Sequence, residues 1–445
     1  MRGVPSLLRL ATATAALALP ARPVSAEELL SAEDVELRVA IGERQGEMVE
    51  RLADWVGRNT GTWNTAGLEA FAPLLADELR KLDFEVTVVP SAPLDIPDRK
   101  DARSGPIVFA ERRASVEPER AHRFLLMGHF DTVFEPDSAF QHWRVDPDRP
   151  DRANGPGASD MKGGLVVLLY ALRALAESGD LARADVAVLL NSDEEMGSLG
   201  SRERIEAAAR KAEVGLVFEG AREGGELARS RGGAGQFHLD VRGVAAHVAS
   251  AETEGHSAIV ALAKKVIAIE SLTDYSRGVL LNVGTIEGGT KRNVVPDHAS
   301  AWIDLRYEEP GQGDEVRAKL EQIAASEDVP GTRATLWGRL HRPPKPETPE
   351  VDALLWLQQK LARELGFPAP VALHSASVTD GSLTQAAGLP TVDAMGVRGG
   401  EAHSEREFVV LSSLSERATI AAVMIRHLES GAPPAAPPVD ARGAR

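Results

Sequence analysis

FLLMGHFDTV, at residues 124–133, begins with a short apolar run of the kind that forms a buried strand. Similar runs follow at DVAVLLN (185–191) and VGLVF (214–218), and the segments between the three runs, 162–177 and about 200–211, are predicted to be helices. Strands that alternate with helices predict an α/β fold, with a mostly parallel sheet covered by helices on both faces.

Polar residues follow the ends of these predicted strands. His129 and Asp131 come directly after the first strand, Glu194 and Glu195 after the second, and Glu219 after the third. In open α/β sheets, ligands bind in the crevice beyond the carboxyl ends of the strands. The sequence therefore predicts that these side chains share one crevice.

Two more residues of the same chemical type lie in glycine-rich turns, Asp160 in NGPGASDMKGG and His403 in GGEAHSERE. Histidine nitrogens and carboxylate oxygens, in a chain without cysteine, are the ligands expected of a hydrolytic zinc site. Two histidines and three carboxylates can hold two zinc ions if one carboxylate bridges them. Asp160 is the best candidate for the bridge, because it is central in the order and its turn allows close backbone approach. A water between the ions would be the nucleophile.

The adjacent residues Glu194 and Glu195 are expected to have different roles. Neighbouring side chains at a strand end point in different directions, so one can bind metal while the other acts as a general base. The spacing leaves open which is which, and a solvated acidic turn is the alternative. Asp131 is expected to accept the second ring proton of His129 and fix the tautomer of its imidazole, the alternative being a simple strand-end acid.

The pattern changes between residues 232 and 345, where strands and helices follow in the order β-α-β-β-α-β. This order predicts an inserted ferredoxin-like domain, called here the lid domain. The predicted organisation is a signal peptide (1–26), the first part of the catalytic domain (27–231), the lid and dimerisation domain (232–345), the second part of the catalytic domain (346–430) and a disordered tail (431–445).

The N-terminal segment predicts where the protein resides. Arg2 and Arg9 precede the apolar run 10–19, and Val24-Ser25-Ala26 fits a small-residue cleavage site. The run is too short to span a bilayer, so we expect a periplasmic or secreted protein without a membrane partner. The formal charge of -16, without a basic stripe, argues against a nucleic-acid partner.

With these motifs in this order, the chain from about residue 40 to 430 resembles the zinc-dependent exopeptidases and deacylases. That family includes glutamate carboxypeptidase, acetylornithine deacetylase and aminoacylase, and the chain is most similar to the glutamate carboxypeptidase branch. The resemblance implies two zinc ions per chain, which Co²⁺ or Mn²⁺ could replace. It implies that His129, Asp160 and Glu219 bind one ion, and that Asp160, Glu195 and His403 bind the other.

The same resemblance implies further roles. Glu194 would be the general base, Asp131 the support of His129, and the peptide bond between Asp160 and Met161 would be cis. In the lid domain, GVAAHVA resembles a motif whose histidine reaches the active site of the partner subunit. His247 would then stabilise the oxyanion in trans, which requires a homodimer through the lid domain.

The stretch NVVPDHASAWIDLRY resembles one that carries a substrate-binding asparagine and arginine, here Asn293 and Arg306. Arg306 could bind a substrate carboxylate through two parallel hydrogen bonds, the alternative being an ordinary arginine on a sheet surface. The chain departs from the family after Glu219, where it has Gly220 instead of proline. A substrate with a glutamate side chain would need another cation, and Arg222, Arg229 and Arg231 follow in sequence. The sequence leaves open whether glutamate is preferred.

The predicted function is hydrolysis of an amide or peptide bond next to a free carboxylate, as in a carboxypeptidase. The substrate would be a small peptide or an N-acyl amino acid. An N-acyl amino acid deacylase with the same machinery is the first alternative, and a non-catalytic binding protein on this fold is the second. Glu194 beside all five ligand candidates argues against the second.

Overall fold

The computed structural model describes residues 29–94, 96–97 and 102–431. The predicted signal peptide, 1–26, lies outside these residues, and so does the predicted tail apart from Gly431. Within the described part of the chain, no helix is long and apolar enough to cross a membrane.

The main sheet contains the strands that precede the candidate site residues. Its strands are β1 (Glu85–Val89), β2 (Ile107–Arg112), β3 (Arg123–His129), β6 (Asp185–Asn191), β7 (Val214–Val217) and β17 (Thr391–Val392). They are arranged in the order β1-β2-β6-β3-β7-β17, and the pairs β6/β3, β3/β7 and β7/β17 are parallel. β1 and β2 are antiparallel to their neighbours. The predicted α/β fold with a mostly parallel sheet is confirmed.

Helices cover both faces of this sheet because its central strands are apolar on both sides. Phe124 and Leu126 pack in one core, whereas Leu125 and Met127 pack in another, as the alternation of side chains along β3 requires. The first core contains α1 (Ala32–Gly42), α2 (Gln45–Val56), α3 (Thr65–Arg80), α4 (Gly163–Ser178), α9 (Pro349–Glu364) and α11 (Ser413–Ser430). The second contains α5 (Arg202–Ala209) and α10 (Asp380–Ala386).

The lid domain has the predicted β-α-β-β-α-β order and a core of its own. Its elements are β10 (Gly233–Arg242), α7 (Ala258–Glu270), β12 (Leu280–Gly288), β14 (His298–Tyr307), α8 (Gln312–Ala325) and β15 (Arg333–Arg342). The strands form an antiparallel sheet in the order β12-β14-β10-β15, so β12 is an edge strand. Phe237, Leu239 and Leu305 are buried between this sheet and its two helices. The limits 232 and 345 stay predictions.

Short strands that the sequence did not predict connect the loops near the candidate site. A five-stranded sheet has the order β4-β5-β19-β18-β8, with β4 (Arg144–Val145), β5 (Arg152–Asn154), β8 (Ala221–Arg222), β18 (Arg398–Gly400) and β19 (Phe408–Val410). Further pairs join β9 (Leu227–Arg231) to β16 (Ala372–Ser375), and β11 (Ala246–His247) to β13 (Val294–Val295), with the short helix α6 (Ala251–Glu254) nearby. Because β8 follows Glu219 and β18 precedes His403, the five-stranded sheet brings those two loops together.

Candidate metal centre

The five predicted metal ligands converge at the carboxyl ends of the central strands. His129 is the last residue of β3, and its Nε2 lies 3.2 Å from Asp160 Oδ1 and 3.6 Å from Glu219 Oε1. His403 Nε2 lies 3.3 Å from Asp160 Oδ2 and 3.0 Å from Glu195 Oε2. Asp160 therefore lies between the two histidines, with one carboxylate oxygen towards each.

These separations fit a tetrahedral metal site. Ligand atoms about 2.0–2.1 Å from a tetrahedral zinc ion are about 3.3 Å apart, close to the separations between the nitrogen and oxygen atoms here. Ligand atoms of His129, Asp160 and Glu195 lie within 4.8 Å of one another, and so do those of His129, Glu194 and Glu219. The residues present therefore fit divalent ions, with Asp160 able to contact two of them.

The electrostatics of the cluster also favour a cation. Burial and the nearby Asp160 raise the pKa of Glu195 to about 8, and burial raises the pKa of Glu219. Hydrogen bonds to Asp160 and Glu195 raise the pKa of His403 to about 11. Buried carboxylates this close to one another cannot all remain ionised unless positive charge compensates them. A divalent ion would supply that charge.

Asp131 is buried and holds both His129 and the chain around the two glutamates. Nδ1 of His129 lies 3.1 Å from the backbone carbonyl oxygen of Asp131 and 3.3 Å from its Oδ1. The two carboxylate oxygens accept the backbone N–H groups of Glu194 and Glu195 at 3.2 Å each. The hydroxyl of Thr62, which the sequence did not suggest, donates to Oδ2 at 2.9 Å. This geometry leaves Nε2 of His129 facing the cluster, as a supporting role for Asp131 requires.

Glu194 and Glu195 point in different directions. Glu195 contacts His403, whereas Oε1 of Glu194 accepts a hydrogen bond from Arg342 Nη2 at 3.0 Å. Arg342 is 1% exposed and is the last residue of β15, so it connects the lid sheet to the cluster. It also forms an ion pair with Asp380 at 2.9 Å. No local pattern in the sequence points to Arg342, because a single arginine at a strand end is common and its partner Glu194 is 148 positions away.

Glu407 fixes the turn that carries Asp160. Its buried carboxylate accepts the backbone N–H groups of Gly157, Ser159 and Asp160 at 3.0, 2.8 and 3.0 Å. The Asp160–Met161 peptide bond inside this turn is cis, as the resemblance implied. Glu407 was missed by the sequence analysis, although an acid four positions after a candidate ligand in HSERE was a signal for it.

Two cavities open onto the cluster. The larger, of about 930 Å³, lies between the cluster and the lid sheet and is lined by Glu194, His403, Trp302 and Arg306 among others. Arg306 lines this cavity, and its guanidinium is paired with Asp304 at 2.8 Å. The smaller cavity, of about 370 Å³, lies against Asp160, Glu219 and His403.

His247 and Asn293 are not brought to the cluster within one chain. Both are exposed on the lid domain, where Val248 N donates to Asn293 O at 3.1 Å. Neither residue lines the two cavities that contain the ligand candidates. Within one chain, neither residue is therefore part of the candidate metal centre.

Comparisons with known proteins identify the family of the chain. A family model described as Peptidase family M20/M25/M40 matches residues 125–427. Carboxypeptidase G2 from a Pseudomonas species is 29% identical over 92% of this chain and 95% of its own length. Succinyl-diaminopimelate desuccinylase from Halorhodospira halophila is 30% identical over 68% of this chain and 83% of its own.

Solved structures show the same fold. The di-peptidase Dug1p from Saccharomyces cerevisiae has a TM-score of 0.70 at 14% identity, covering 91% of this chain and all of that chain (100%). A tripeptidase from Staphylococcus aureus has a TM-score of 0.66 at 20% identity, covering 86% of this chain and 99% of that chain. The chain therefore belongs to peptidase family M20/M25/M40, as a metal-binding hydrolase of peptide or related amide bonds.

Proposed function

We propose that this protein is a di-zinc carboxypeptidase that hydrolyses an amide or peptide bond next to a free carboxylate. The observation that carries the proposal is the position of Asp160, whose two oxygens face His129 and His403 separately. Asp160 with His129 and Glu219 would hold one ion, and Asp160 with Glu195 and His403 would hold the other. Five residues can give each of two ions three protein ligands only if one carboxylate is shared between the ions.

The mechanism assigns distinct tasks to the residues around this cluster. Zinc held by these residues would supply polarisation of the scissile carbonyl and a lowered pKa for an attacking water. Glu194 accepts the proton of that water and delivers it to the leaving nitrogen. The hydrogen bond from Arg342 to Oε1 orients the Glu194 carboxylate and leaves Oε2 as the proton acceptor. Asp131 keeps His129 in the tautomer that presents Nε2 to the cluster.

The carboxypeptidase assignment is supported by the near full-length similarity to Carboxypeptidase G2. Arg306, in the larger cavity, is the candidate that would bind the free carboxylate of the substrate. The second candidate function is N-acyl amino acid deacylation, which the similarity to succinyl-diaminopimelate desuccinylases favours. Both functions would use the same cluster and differ in the group that lies on the acyl side of the scissile bond.

A substrate panel tests the proposal. We expect dipeptides with a free terminal carboxylate to be hydrolysed, and their C-terminal amides to be at least about 10-fold poorer substrates, since a hydrogen bond to a charged group is lost. Chelation should abolish this activity, and added zinc should restore it. Hydrolysis restricted to small N-acyl amino acids would instead establish the deacylase. Activity that survives complete metal removal would refute the mechanism.

We further propose that the protein works as a homodimer in the periplasm or outside the cell. The lid domain has an exposed apolar surface on α7 and β12, where Ile267 is 72% exposed and Ile286 is 58% exposed. β12 is also an edge strand, whose backbone groups can pair with a second strand. A second copy of the chain would cover this surface, and its His247 and Asn293 would then reach the neighbouring metal centre.

A complementation experiment tests the dimer. Ile267→Glu should convert the dimer into a monomer in sedimentation velocity, because it places a charge in an apolar interface. If His247 acts in trans, Glu194→Gln and His247→Ala chains are each nearly inactive alone. Co-expressed, they should form heterodimers with one complete site and regain measurable activity. Absence of recovery in heterodimers that have been isolated would contradict action in trans.

A further inference from the structure

The three arginines that follow Glu219 in sequence have different environments. Arg229 forms two hydrogen bonds with Asp352, at 2.7 and 2.8 Å. Arg231 is buried and pairs with Asp393 at 2.6 Å. The charges of both arginines are therefore neutralised by partners inside the protein, so neither can act as the additional cation.

Arg222 differs from both. It is the last residue of β8, its side chain is exposed, and it lines the smaller cavity together with Asp160, Glu219 and His403. Across the described ranges of the chain, no hydrogen bond or ion pair involves its guanidinium. A cation without a partner thus lies in the same cavity as ligand candidates of both proposed ions.

Two acids near Arg222, one adjacent in sequence and one in the same cavity wall, are paired with other arginines. Glu223, the next residue, is paired with Arg152. Glu401, which lines the same cavity, is paired with Arg406 at 2.9 Å. Of the other carboxylates of the cavity wall, Asp160, Glu195 and Glu219 are candidate metal ligands, and Glu194 is paired with Arg342. Arg222 therefore has no ion-pair partner in the described part of the chain.

The backbone around Arg222 is held by β-pairing. β8 runs parallel to β18, with Ala221 opposite Arg398 and Arg222 opposite Gly399. Glu219 lies shortly before β8, and His403 shortly after β18. This pairing fixes the backbone of Arg222 relative to both ligand loops, so that its side chain starts from a defined place at the edge of the cavity.

We propose that Arg222 binds a second anionic group of the substrate, the side-chain carboxylate of an acidic residue on the carboxyl side of the scissile bond. This inference rests on the proposed carboxypeptidase function. A guanidinium can bind a carboxylate through two parallel hydrogen bonds. The cavity volume of about 370 Å³ is within the range of small-molecule sites, about 300–1,000 Å³. Arg306 is assigned to the free terminal carboxylate and lines the larger cavity rather than this one, so a second carboxylate needs a different cation.

A matched pair of dipeptides tests this role, one ending in glutamate and the other in glutamine, which has nearly the same shape without the charge. For the zinc-loaded wild-type protein, we expect kcat/KM to favour the glutamate peptide. Arg222→Ala should reduce that preference by about 10-fold, mainly by raising KM for glutamate, since it removes a hydrogen bond between charged groups. Arg222→Lys should restore part of the preference. Arg204→Ala, an exposed arginine on α5, is the control and should keep the wild-type ratio.

The outcomes separate this inference from the function on which it rests. Equal hydrolysis of both peptides by wild type, or an unchanged ratio in Arg222→Ala, would overturn the role of Arg222 and leave the carboxypeptidase intact. A loss of the same size for both peptides would also overturn it, as would a loss of bound zinc in Arg222→Ala. If wild type hydrolyses neither peptide, the proposed function fails and the inference fails with it.

Discussion

Glu194→Gln is expected to lower kcat by about 10²–10⁴-fold while the zinc content of the protein stays the same. Glutamine has nearly the same volume, and its carbonyl oxygen can still accept the hydrogen bond that Arg342 donates at 3.0 Å. It cannot accept a proton from water, so the substitution removes only the proposed general base. The measurements are steady-state kinetics on the preferred dipeptide and elemental analysis of the same sample.

Substitution of the neighbouring residue, Glu195, is expected to affect zinc binding instead of proton transfer. Glu195→Gln should reduce bound zinc, because Glu195 rather than Glu194 contacts His403. Glu203→Gln, on the exposed side of α5, should change neither kcat nor zinc content. If Glu194→Gln kept kcat within a few fold of wild type, Glu194 would not be the base. If it lost zinc instead, the roles of the two glutamates would have to be exchanged.

The central strands of the main sheet could be predicted from sequence because apolar runs such as FLLM and VGLVF have a clear strand pattern, whereas its two-residue edge strand β17 could not. His129, Glu195 and Glu219 follow those strands directly, so their convergence could be predicted too. In the structure, Nε2 of His129 lies 3.6 Å from Oε1 of Glu219. The spacing could not distinguish Glu194 from Glu195, because the direction of each side chain depends on contacts with Arg342 and His403, both distant in sequence. Strands of two residues, such as β8, have no periodicity from which they could be recognised.

The ion pair between Arg306 and Asp304 has a signal in the sequence. In WIDLRY, Asp304 and Arg306 are two positions apart on one strand and therefore project from the same face. Their ion pair at 2.8 Å is the expected result of that spacing. The partners of Arg229 and Arg231 had no such signal, since Asp352 and Asp393 are more than a hundred positions away in sequence. Those contacts exist only because the second part of the chain returns to the main sheet.

Asp160→Asn is expected to reduce the bound zinc from the proposed two ions per chain to one or fewer and to lower kcat by more than about 100-fold. Even the removal of a residue that only hydrogen-bonds to a metal ligand typically lowers metal affinity or activity by about 10–100-fold. In the structure, Oδ1 of Asp160 faces His129 at 3.2 Å and Oδ2 faces His403 at 3.3 Å. Asparagine keeps only one of these oxygens, and its amide nitrogen donates hydrogen bonds rather than binding a cation. One of the two ions must therefore lose its shared ligand.

The turn that carries residue 160 should survive this substitution, because Glu407 holds it through backbone N–H groups rather than through the side chain of Asp160. A loss of zinc without a change in circular dichroism would therefore report on the ligand and not on folding. Asp137→Asn, at an exposed position, is the matched control. If Asp160→Asn retained two ions at wild-type activity, or if fully active wild type held fewer than two, the bridged site would be refuted. Each histidine is paired with its own oxygen of Asp160, and asparagine keeps only one of the two oxygens. The two zinc affinities of Asp160→Asn should therefore differ, and one ion should dissociate before the other.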